Sequence, residues 1–136
     1  MADIVQTPAN VAAASGAPTK DGIAGATIVA GDVLYIDATD SNKLKLAIDT
    51  SEAAAAAVGV ALNGAANGQP IRYQTGGGID PGGTVAVGEV YNVSRNAGKF
   101  APDADVLSTV YRTTLGVGTT TSNVKLGILV GGLVVA

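Results

Sequence analysis

The sequence predicts an all-β protein: a small barrel or sandwich of two similar halves, with at most one or two short helices. Three observations carry this. Glycine occurs 19 times in 136 residues and aromatics make up only 4%, a balance of small and β-branched residues that suits short strands and tight turns better than long helices. Lys43-Leu44-Lys45-Leu46 alternates charged with apolar residues, the period of a half-buried strand. The third is a weak internal repeat at an offset of 57 residues.

In that repeat, the run from Gly25 to Ile36 (GATIVAGDVLYI) lies over Gly82 to Val93 (GGTVAVGEVYNV) without a gap. Val58-Gly59-Val60-Ala61 lies over Leu115-Gly116-Val117-Gly118, and Ile71 over Ile128. The copies are therefore expected at 25–77 and 82–134, with Gln74 to Gly83 as a flexible joint. Each reads as a short strand, a tight turn in which Gly31 or Gly88 supplies a positive φ, and a second strand.

Taken in order, residues 1–20 carry two prolines, Pro8 and Pro18, and only Asp3 and Lys20 are charged. Proline disfavours helix at the residue before it, so this stretch reads as an extended arm or a disordered terminus ahead of a β-rich domain at 21–136. Ile4 and Val5 give the arm something apolar to dock. Strand 33–37 turns through Thr39-Asp40-Ser41-Asn42 and returns along Lys43 to Ala47. In the second copy, Val90 to Ser94 pairs with Lys99 to Ala101 across Asn96-Ala97-Gly98. Further strands are expected at Val58 to Leu62, Ile71 to Gln74, Leu115 to Val117 and Val124 to Val130. Glycines 59, 116 and 127 within them mark bulges or close backbone approach. One short helix is expected over 50–57, capped by Asp49 with Glu52 three residues on, and a second helical turn at 103–110. The apolar tail from Leu126 to Ala136 falls far below the ~20 residues that span a bilayer and reads as a buried final strand.

The composition also narrows function. There is no Cys and no His, which removes the commonest zinc ligands and the usual general base at neutral pH. Asp37, Asp40 and Asp49 sit in turns and strand ends, where solvated turn formation is the simplest role, and Asp40-Ser41-Asn42-Lys43 fits no calcium-loop spacing. Gly76-Gly77-Gly78 and Pro81-Gly82-Gly83 lack the Gly-Lys-Ser/Thr ending of a phosphate loop. Net charge is −3 with eight scattered Lys and Arg, so no basic surface for nucleic acid is expected. The start lacks a charged n-region and a long apolar h-region, so synthesis in the cytoplasm is expected, with no membrane association. Low charge with a mean hydropathy of +0.36 suggests that partner molecules cover much of the surface, so self-association is expected. No catalytic residue, metal or cofactor is expected, and the protein reads as a non-enzyme.

The run of Ala26 to Asp37 (ATIVAGDVLYID), then Asn42 to Ala47 (NKLKLA), Ala56 to Leu62 (AAVGVAL) and Gln69 to Gly77 (QPIRYQTGG) resembles the small head decoration, or capsid cement, proteins of tailed bacteriophages, including the lambda-type decoration proteins. The resemblance covers most of residues 21–136. It implies a β-clip or β-tulip fold and a homotrimer seated on capsid symmetry axes. The partner it implies is the major capsid protein, and the location is the outer surface of the virion. An N-terminal arm that adds to capsid β-structure falls on residues 2–20, with Ile4, Val5, Gln6, Thr7 and Pro8 as candidate capsid contacts. The second copy departs from the single-unit form of that family. Two other readings fit the same composition: a tail- or fibre-associated β-domain, and a non-viral binding or adhesive module. The adhesive module ordinarily shows exposed Trp or Tyr platforms, and Trp is absent.

Overall fold

A computed structural model describes residues 3–103 and 111–133. The strands are β1 (Ala12–Ala13), β2 (Thr19–Ile23), β3 (Val33–Asp37), β4 (Lys43–Leu46), β5 (Ala57–Ala61), β6 (Pro70–Gln74), β7 (Gly77–Asp80), β8 (Val90–Val93), β9 (Phe100–Pro102), β10 (Tyr111–Thr120) and β11 (Asn123–Leu133). They form two antiparallel sheets, of order β2-β6-β5-β3-β4 and β1-β7-β11-β10-β8-β9. A single short helix, α1 (Glu52–Ala55), and a 3-10 turn at Pro8–Asn10 complete the described secondary structure. The protein is all-β, and no barrel is closed. No described helix is long and apolar enough to cross a membrane.

The two sheets repeat one another. The strand order β2-β6-β5-β3-β4 becomes β7-β11-β10-β8-β9 when each strand is replaced by its counterpart. The central ladders match residue for residue at the offset of 57. Val33 faces Val60, Leu34 faces Gly59 and Tyr35 faces Ala57, with a register shift after Leu34. In the second sheet Val90 faces Val117, Tyr91 faces Gly116 and Asn92 faces Thr114, with the same shift. The turn ahead of β3 is duplicated too. Gly31 and Gly88 adopt φ of 94° and 82°, and their N–H groups donate to the carbonyls of Ala61 and Gly118. Only glycine takes that backbone at no steric cost, which is why it recurs at both places.

The copies differ in their limits and in one loop. Each begins with the strand ahead of the aligned run, β2 in the first and β7 in the second. Residues 74–83 are therefore not a flexible joint, because they contain β7. Residues 62–69 separate β5 from β6, but only 121–122 separate β10 from β11. Val60 pairs with Gln74, and its counterpart Val117 pairs with Lys125, so the offset on the last strand falls to 51. Ile71 and Ile128 are not counterparts; the tight turn in the second copy has slid the strand.

The alternating hairpin β3–β4 forms as expected, with Ser41 and Asn42 at φ of 54° and 57°. Lys45 Nζ donates to Asp37 at 2.8 Å and lies 3.1 Å from Asp40. The hydrogen bond from Lys45, with two more from Thr39, lowers the Asp37 pKa to about 2. A depressed carboxylate contributes stability above its unfolded pKa and loses it as pH falls through the folded one. We therefore expect Asp37→Asn to lose part of the wild-type stability decline between pH 4 and pH 2, read by denaturant titration at each pH. An unaltered pH profile would rule this pair out as a source of acid sensitivity.

The helix cap falls two residues later than expected, on Ser51 rather than Asp49. Ser51 Oγ accepts the Ala54 N–H at 3.2 Å, while the buried Asp49 carboxylate accepts Arg95 Nε at 3.1 Å. Asp49 thus ties the first unit to the second. The turn at 94–99 does the same through its backbone, with Val33 N–H donating to Gly98 and Gly98 N–H to Ala47. One core lies inside the curl of the first sheet, with Ile28, Leu34, Leu44, Ile71 and Tyr73. The other joins Val33 and Val60 of the first unit to Tyr91, Phe100, Leu115 and Val124 of the second. The helical turn expected at 103–110 falls, beyond Asp103, outside the described residues.

Candidate assembly interface

The N-terminal segment is the first candidate surface, and its placement differs from a separate arm. Residues 3–20 are extended but paired with the body. Ile4 is 6% exposed and belongs to the core shared by the two units. Its N–H donates to the Phe100 carbonyl at 3.1 Å, on the outer edge of β9. Gln6 Nε2 donates to the carbonyls of Gly31 and Pro81, each at 2.8 Å. Thr7 N–H donates to Gly82, Ala12–Ala13 pair with β7, and Thr19 onward forms β2. Asp3 Oδ2 accepts Ser94 Oγ at 2.6 Å and Asn96 Nδ2 at 2.9 Å. The segment thus runs from one edge of the second sheet to the other before the chain enters the first. The boundary expected at residue 20 does not separate an arm from a domain, because apolar burial and edge pairing draw the arm in.

Among the residues proposed for capsid contact, Val5 alone is a large, strongly exposed side chain, at 84%. Pro8 is exposed and opens the 3-10 turn. Thr7 is exposed too and touches the body through its backbone N–H, whereas Ile4 and Gln6 make side-chain contacts within the chain. The in-and-out alternation of Ile4 and Val5 is the pattern of an added strand. An open groove of about 380 Å³ runs beside them, between Asp3–Val5 and Thr84–Ala86, with Tyr91 in its wall.

The second candidate surface is one that sequence reasoning missed. β7 covers β11 only at Val124–Leu126. From Gly127 to Leu133 that edge of β11 has no ladder partner among the described residues. Leu129 and Val130 on this stretch are 68% and 51% exposed. The tail is a strand, as expected, but it is not buried as far as it is described. The available signal was the loss of alternation in Gly127-Ile128-Leu129-Val130-Gly131, which no longer separates an inner from an outer face. Such an edge, apolar and without charge or proline, is a template for pairing with another chain.

Acidic residues at equivalent places in the two units make contacts within the fold. Burial raises the Asp32 pKa, against the lowering effects of the Val29 N–H and of Lys99, whose Nζ lies at 3.8 Å. Its counterpart Glu89 accepts the Asp103 N–H. No group of three or more acidic residues fit for a metal occurs among the described residues. No family model matches the chain, and no curated protein or solved structure matches it.

Proposed function

We propose that the chain is a structural virion protein that binds the outer surface of a tailed-phage capsid and stabilises it, as a homotrimer bound to the major capsid protein. The observation that carries the reading is the edge of β11 that no described strand covers, with Leu129 and Val130 turned to solvent. An added strand gives main-chain hydrogen bonds for affinity and side-chain pockets for register. The sequence resemblance to capsid cement proteins supplies the partner. In this reading Val5, Thr7 and Pro8 remain available for capsid contact from the N-terminal segment, whereas Ile4 and Gln6 position that segment on the body.

The mechanism is mass action. A protein that binds only the assembled shell stabilises it by about 2.7 kcal/mol per site at a hundredfold excess over Kd, a term repeated at every site. We expect virions carrying the chain to show hundreds of copies per particle by quantitative gel densitometry; a few copies per particle would place it in the tail and overturn the reading. Val130→Lys should weaken binding to bare heads at least tenfold, about 1.4 kcal/mol, while leaving the melting temperature of the free protein within a degree or two.

A further inference from the structure

The two units close differently, and the difference assigns a role to the N-terminus. In the first unit the edge strands meet directly. Ala24 bridges to Leu44, and Gly25 N–H donates to the Leu44 carbonyl at 2.7 Å. Ladder positions give the counterparts in the second unit. Ile36 faces Leu44 and Val93 faces Phe100, so Phe100 stands for Leu44. Lys20 faces Tyr73 and Ile79 faces Val124, so Ile79 stands for Lys20, and four residues on from each lie Ala24 and Gly83. No bridge or backbone hydrogen bond joins Gly83 to Phe100. The Phe100 carbonyl accepts the N–H of Ile4 instead, and a Cβ on Gly83 would lie 2.8 Å from the Ile4 side chain and collide with the Val5 carbonyl. The second unit is a curl held apart by a strand that is not its own.

We propose that residues 3–14 are an exchangeable donor segment, which completes the second unit of its own chain or that of a second copy. The slot recognises this segment by its chemistry. Ile4 enters the core, Asp3 takes two donors from Ser94 and Asn96, and Gln6 bridges Gly31 and Pro81. A second copy presents the same groups, so the contacts are identical within or between chains. The choice between them rests on the connection and on concentration. That connection is residues 15–18, tied down by an Ala17 N–H to Ala14 bond and, at its far end, by Thr75 N–H to the Pro18 carbonyl, with Gly16 between them at φ 77° and nothing within 4 Å of its would-be Cβ. Opening this turn frees the segment to reach outward without breaking any ladder of β2. The inference concerns the free protein and does not depend on capsid binding.

A complementation experiment tests it. Ile4→Asp disables the donor and leaves the slot intact; Gly83→Leu blocks the slot and leaves the donor intact. Mixing the two variants should produce a 1:1 heterodimer in native mass spectrometry, absent from either alone, with a melting temperature above that of Ile4→Asp by itself. A mixture that stays the sum of its parts overturns the proposal. Should either variant fail to fold, deleting Gly16 and Ala17 decides the matter, since the segment then cannot turn back onto its own chain. Light scattering should show a folded dimer or larger ring, returned to monomer by adding Ile4→Asp. A folded monomer, an unfolded chain, or an oligomer that survives Ile4→Asp would each refute donor exchange.

Discussion

Gly59→Ala and Gly116→Ala should each destabilise the protein by about 3 kcal/mol, near the upper end of the usual range for an overpacked core. Both glycines lie at the register shift of a central ladder, and both press against the neighbouring strand. A Cβ on Gly59 would collide with the Gln74 carbonyl oxygen and lie 2.7 Å from the Tyr73 ring. A Cβ on Gly116 would collide with the Lys125 carbonyl oxygen. Gln74 and Lys125 are themselves counterparts, so one physical constraint has been copied with the fold. The obstructing atom is backbone in each case and cannot rotate away; relief requires parting two strands. For a chain of this size the expected fall in melting temperature is roughly 10 °C. Gly127→Ala, where nothing lies within 4 Å, should change it by a degree or two. A large effect at Gly59 with none at Gly116 would show that the shared register does not carry a shared packing constraint.

The same pair shows what the amino-acid sequence made legible. Glycines at 31, 59, 88 and 116 are demanded by backbone geometry, so they recur wherever the geometry recurs, and the duplication could be read from them. The hairpin at 33–46 was readable because Lys43 and Lys45 must face water while Leu44 cannot. The last strand was misaligned for a physical reason. The turn at 121–122 needs no glycine signature to be short, and the strand it launches carries apolar residues on both sides, so nothing in the pattern fixes its register. The helix cap went to Ser51 because Asp49 has a stronger use, an ion pair with Arg95 that sequence distance conceals. The exposed edge at Leu129 and Val130 looked buried for the same reason: an apolar strand reads alike whether its partner is its own sheet or another molecule.

The N-terminal segment was the least legible, and it supports the sharpest remaining expectation. An arm with two prolines and little charge reads as dispensable, and its removal is then expected to leave folding untouched. The packing of Ile4 reverses that expectation. Ile4→Ala removes a buried aliphatic side chain from a core that Val33, Tyr91 and Phe100 share, a change that typically costs about 2–5 kcal/mol. Val5→Ala, one residue on and facing solvent, should stay within about 0.5 kcal/mol of wild type. Deleting residues 2–14 should cost more than Ile4→Ala, because it also strips β7 of its outer partner β1 and leaves the Phe100 and Gly82 carbonyls without the donors Ile4 and Thr7. Chemical denaturation of the three proteins checks the order. If the deletion melts with wild type, the second unit closes on itself without a donor, and Ile4 is an adornment of the core rather than part of it.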